Sequence, residues 1–107
     1  MSLSITTAQA TDGSIIVMAE GEIDVSCASE LREAINEALA SDAGVVTVDL
    51  AQVPYIDSTG IGVLVGAAHR AEDAGAAFTV ANPQRNVRRV LDLLGVTGEL
   101  GIDSPKA

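Results

Sequence analysis

The sequence predicts an α/β fold with a mixed, mostly parallel sheet of four to five strands packed with three to four helices. Three features carry that expectation. Short apolar runs, two of them rich in β-branched residues, at 15–19, 45–50 and 77–81, have the length of strands. Longer segments among them repeat apolar residues every three or four positions, the period of a helix with one buried face. Gly, Asp, Asn, Ser and Pro mark the junctions. The order reads β-β-α-β-α-β-α, and strands alternating with helices imply parallel pairing through right-handed crossovers.

Residues 3–8 alternate moderately and read as a short edge strand. Thr11-Asp12-Gly13-Ser14 turns the chain into the run at 15–19, read as a strand covered on both faces and paired antiparallel with the first. Asp24 or Ser26 then caps a helix over 26–41 with the stripe Ala28, Leu31, Ile35, Ala38 and Leu39. Val45-Val46-Thr47-Val48-Asp49-Leu50 reads as a central strand. Pro54 interrupts the chain, and a second helix over 58–74 follows, apolar most of the way round. Gly62 and Gly66 in it are expected to allow close backbone approach. Gly75 ends that helix. A strand over 77–81, the turn Asn82-Pro83-Gln84 and a third helix over 85–94, stopped by Gly95, complete the order. The sheet has five strands if 99–102 adds one; 103–107 reads as a frayed tail. All 107 residues fit one domain able to bury its own core.

Composition excludes several classes. With no Trp, one Tyr and one Phe, the core must be aliphatic. No apolar run approaches the roughly 18 residues of a membrane span, and no basic-then-apolar leader opens the chain. A lone cysteine, Cys27, forbids an internal disulfide and fits a reducing cytoplasm. A net charge of −9 argues against nucleic acid and anionic membrane and suits a protein partner with a basic face.

The most informative stretch is Asp57-Ser58-Thr59-Gly60-Ile61, where a strand ends and the second helix begins. Ser58 stands where an N-cap is expected, its hydroxyl accepting an orphan backbone N–H. Free N–H groups and the helix dipole also suit this place to an anion. Asp57 either begins the cap or faces a partner; Asp24 either caps the first helix or faces the same partner.

Competing chemistries fit less well. Ser58 lacks the G-x-S-x-G elbow of a hydrolase, because position 56 is Ile. The single histidine, His69, lies eleven residues along the same helix, about 16 Å away by helical rise, and cannot share a proton with it. The glycines at 60, 62 and 66 miss dinucleotide-loop spacing by one residue. One His and one Cys cannot build a typical zinc site, so no metal and no cofactor is expected. Arg85, Arg88 and Arg89 give the third helix a small basic patch, either solvated or in contact with an acidic group.

Taken together, the chain resembles the STAS domain family, in particular its stand-alone anti-sigma factor antagonists. The resemblance covers nearly the whole chain. It rests on Ile56-Asp57-Ser58-Thr59-Gly60-Ile61-Gly62-Val63-Leu64, on Gly21-Glu22-Ile23-Asp24, and on Val90-Leu91-Asp92-Leu93-Leu94-Gly95-Val96. It implies a non-enzymatic, cytoplasmic partner switch. The unphosphorylated antagonist binds an anti-sigma factor, itself a GHKL-type serine kinase, and frees the sigma factor. The kinase phosphorylates a serine matching Ser58, with Thr59 the lesser acceptor, and a phosphatase restores it. Asp24, Asp57, Ser58, Thr59, Gly60 and Ile61 are then the expected partner-binding residues. Two other readings remain open on sequence: a constitutive interaction module of a transporter or signalling complex, and a small-ligand sensor.

Overall fold

The computed structural model describes residues 3–102, and the tail expected at 103–107 lies outside them. The elements are β1 (Ser4–Gln9), β2 (Ile15–Glu20), α1 (Ala28–Ala40), β3 (Val45–Gln52), α2 (Ser58–Ala74), β4 (Ala77–Ala81) and α3 (Arg85–Leu93). They follow the expected order.

The four strands form one sheet in the order β1-β2-β3-β4, antiparallel at the first pair and parallel at the other two. Register aligns Val17 with Val48 and Val48 with Val80, and Val46 with Ile15 and Phe78. These residues are all buried, so one face of the sheet supplies a continuous apolar layer. Leu31 and Ile35 of α1, Leu64 of α2, and Val87 and Leu91 of α3 join it in one core. Ile16, Met18, Thr47, Asp49 and Thr79 alternate with them and are half-buried or exposed. The expectation that β2 is covered on both faces therefore fails. Buried residues of all three helices join that one face, and the other carries Ile16 and Met18 among polar and small groups, including a Thr47–Thr79 hydroxyl bond of 3.1 Å.

Three further expectations are corrected. Residues 99–102 form no strand. Turns over 97–101 instead bury Leu100 completely, and the Leu100 carbonyl accepts the Val80 N–H at 2.9 Å. One β4 backbone donor is thereby met by a turn where a fifth strand was expected. α1 begins at Ala28 and not at residue 26, because 25–27 form a turn whose Cys27 and Ala28 N–H groups bond the Asp24 carbonyl at 3.1 and 2.9 Å. Nor do Gly62 and Gly66 approach another backbone: a Cβ on Gly62 would meet nothing within 4 Å, and one on Gly66 only the Arg70 side chain. α2 closes as expected, on Gly75 at φ 76°, with the Ala76 N–H returning to the Ala71 carbonyl at 2.9 Å.

Candidate functional site

The site lies where two loops leave the same end of the sheet. After β2 the chain runs through Gly21-Glu22 to Ile23; after β3 it runs through Val53 and Pro54 to Ile56. Ile23 and Ile56 form an isolated parallel bridge. The Ile23 N–H donates to the Tyr55 carbonyl at 3.0 Å, and the Asp57 N–H donates to the Ile23 carbonyl at 3.0 Å. Each bridge residue is followed directly by an aspartate, so the loops of Asp24 and Asp57 emerge side by side. Both isoleucines are buried, which anchors the loops in the core.

Asp57, and not Ser58, is the N-cap of α2. Its Oδ1 accepts the Gly60 N–H at 3.0 Å, and its carbonyl accepts the Ile61 N–H at 2.9 Å. Of the two readings open for Asp57, the capping one is realised. Ser58 moves to the first helical position. It is exposed, and no described residue engages its hydroxyl. Thr59 beside it is also exposed. Gly60 and Ile61, also expected to meet a partner, are buried.

Asp24 organises the neighbouring loop. Its Oδ1 accepts the Ser26 N–H at 3.0 Å and the Ser26 hydroxyl at 2.6 Å. These bonds, the hydroxyl's first, hold its carboxyl below the usual carboxylate range. Asp24 thus governs the approach to α1, although Cys27 is the residue at the cap. Cys27 is the hidden hub of this loop. Its buried thiol lies 3.3 Å from the Glu22 carbonyl and accepts the Asp24 N–H at 3.5 Å.

Sequence reasoning missed this role for Cys27, and it missed two exposed apolar groups. Val25 is 75% exposed and Tyr55 50% exposed, and they flank Asp24 and Ile56 in the chain. A branched apolar residue within the polar run Asp24–Ser26 was the available signal. It also missed a brace from α3. Asn86 Nδ2 donates to the Pro54 carbonyl at 2.6 Å, and Gln84 Nε2 to the Ala51 carbonyl at 2.9 Å.

The surface thus presents two carboxylates, two free hydroxyls and two apolar side chains. His69 lies on the same helix as Ser58 and pairs instead with Glu99, at 3.0 Å on the surface. Arg88 of the basic patch lies 3.8 Å from Asp92, one turn on. Among the described residues no group of three or more His, Cys, Asp or Glu is placed to hold a metal, and no helix is long and apolar enough to cross a membrane.

Comparison with known proteins agrees with this architecture. The STAS domain family model matches residues 6–104. The anti-sigma-B factor antagonist of Bacillus subtilis is 32% identical over 93 residues, which are 87% of this chain and 84% of that protein. The anti-sigma-B factor antagonist of Listeria monocytogenes is 37% identical over 67 residues, 63% of this chain; the match spans only 59% of the Listeria protein. An anti-sigma factor antagonist from Mycobacterium paratuberculosis has the same fold, with a TM-score of 0.81 at 23% identity over 97% of this chain and 87% of that one. With the family model covering nearly its whole length, the chain belongs to the STAS domain family.

Proposed function

We propose that this protein is an anti-sigma factor antagonist working by phosphorylation-controlled partner exchange in the cytoplasm. In the unphosphorylated form it binds an anti-sigma factor that is a GHKL-type serine kinase, and the sigma factor is released. The kinase transfers the γ-phosphoryl group of ATP to Ser58 Oγ; the hydroxyl proton is lost and ADP departs. A phosphatase hydrolyses the ester, returning serine and inorganic phosphate. The protein itself binds and does not catalyse.

The observation that carries this reading is the division of labour at the start of α2. Asp57 does the capping, so the Ser58 hydroxyl is exposed and has no structural duty. A phosphate there gains about −1.5 to −2 charges and three acceptor oxygens at the positive end of a helix, which the fold tolerates. The cost falls on a partner packed over Asp24, Val25, Tyr55 and Thr59, which would have to bury that charge. The names of the Bacillus and Listeria relatives, anti-sigma-B factor antagonists, support an anti-sigma factor as the partner.

The test is recovery of partners on immobilised protein from the native cell, with intact-mass measurement for one added phosphate. Ser58→Ala is expected to retain a kinase, and Ser58→Asp to bind it about tenfold or more weakly, equivalent to 1.4 kcal/mol or more. Equal retention by both variants, or recovery of transporter components alone, would overturn the proposal.

A further inference from the structure

β1 is the outer strand of the sheet, and β2 is the one described strand that pairs with it. Strand backbone groups alternate in direction, so half of the β1 N–H and C=O groups face away from β2. Natural edges are usually blunted by charge, proline or a bulge. Ser4-Ile5-Thr6-Thr7-Ala8-Gln9 has no charged residue and no proline, and its register with β2 runs unbroken from Ser4↔Glu20 to Gln9↔Ile15. Among the described residues no strand pairs with this outer edge.

Beside it runs a groove of about 360 Å³ between β1 and α1, lined by Ile5, Thr7, Ala34, Glu30, Glu33 and Glu37. The three glutamates are three and four residues apart and share one stripe of α1. Arg32, the one basic residue of the helix, lies about 200° round the axis from Glu30 and so on the other side. A strand added to β1 would set alternate side chains over this groove, facing the glutamates. The others would lie on the open face of the sheet beside Thr6 and Ala8. A second copy of this chain fits badly. Two-fold pairing of β1 would bring each acidic row against its own copy, in molecules that already carry −9.

We propose that the β1 edge receives an extended segment of another protein by antiparallel strand addition, with Lys or Arg at every second position to meet Glu30, Glu33 and Glu37. Backbone hydrogen bonds supply affinity, and the acidic row selects sequence and register. This surface is built from elements separate from the Ser58 turn.

The test is a titration of isotope-labelled protein with a capped eight-residue peptide of alternating lysine and threonine, followed by amide shifts. Saturable shifts are expected in residues 4–9 and in Glu30, Glu33 and Glu37. Replacing the three glutamates together by glutamine should weaken binding about tenfold, the combined worth of three exposed ion pairs. Methylating alternate backbone nitrogens of the peptide should abolish it. No saturable shift at millimolar peptide, shifts confined to other surfaces, undiminished binding of the methylated peptide, or equal binding of a glutamate–threonine peptide would each overturn the proposal. So would a dimer in sedimentation whose β1 amides are already protected from exchange.

Discussion

Gly60 packs its bare Cα against Ile23: a Cβ built on Gly60 would lie 2.6 Å from Ile23 Cγ2, and 2.7 Å from Ile56 Cγ1. The same glycine donates its N–H to Asp57. One residue without a side chain therefore lets the first turn of α2 sit directly on the bridge that joins the two loops. The exposed Ser58 hydroxyl takes its position from that contact.

Gly60→Ala is expected to destabilise the protein by about 1–3 kcal/mol, because the methyl meets two branched side chains already packed in the core. Gly62→Ala, two residues on, meets nothing within 4 Å and should be neutral or stabilising by up to about 1 kcal/mol. Urea unfolding of both variants checks the pair. Equal effects would mean that the Gly60 contact is not the constraint described.

Asp57→Ala removes the cap and should cost about 1 kcal/mol in the same measurement. Asp57→Asn, able to accept the Gly60 N–H, should keep most of that stability. A loss as large for asparagine as for alanine would assign the effect to charge and not to capping.

The strands, the helices and their order were legible because each leaves a local signature. The run at 77–81 and the helix at 58–74 match β4 and α2 at both ends. What could not be read depends on contacts distant in sequence. That β2 exposes Met18 follows from where all three helices settle, and an apolar run alone does not say on which face it will be covered. Leu100 looked like part of a strand because apolar residues in a short tail are ambiguous, and only the β4 edge decides their conformation. The turn at Asp57-Ser58 was recognised as a helix start. The one-residue choice between them as cap was not, since both types cap well. Cys27 as a hub, and the Ile23–Ile56 bridge, had no local signal at all.

Acid should loosen the Asp24 loop. The Asp24 carboxyl is held below the usual carboxylate range by bonds from the Ser26 hydroxyl and N–H, so the charged form belongs to the folded state. Its contribution is present above the unfolded value and is lost as pH falls through the lower folded one. The stability gap between wild type and Asp24→Ala should therefore be full near neutrality and shrink below about pH 4. A gap that stays constant down to pH 2.5–3, a range set by ordinary carboxylate titration, would show that these bonds do not bias the carboxyl.

Cys27 is 4% exposed and surrounded by the Glu22 and Asp24 backbone. A thiol reagent should react with it at the rate of local opening, far more slowly than with a free thiol. Fast labelling of the native protein would show that the loop opens readily. Cys27→Ala should accelerate amide exchange at Asp24, whose N–H loses its sulfur acceptor.

Ser58→Asp mimics part of the charge of a phosphoserine, and two local effects oppose each other. The positive end of α2 favours the new carboxylate by about 0.3–1 kcal/mol, while the adjacent Asp57 repels it by a similar amount at a surface dielectric. The net change in stability should stay under about 1 kcal/mol, with an unchanged circular dichroism spectrum. The two effects separate in a double-mutant cycle. With Asp57→Asn in place the repulsion is gone but a cap remains, so Ser58→Asp should become more favourable by about 0.5–1 kcal/mol. Added salt should erase part of that difference. A coupling of zero at low salt would mean that the two side chains do not share a field. The turn would then carry a new charge without cost, and any loss of binding on modification would have to arise wholly within the partner.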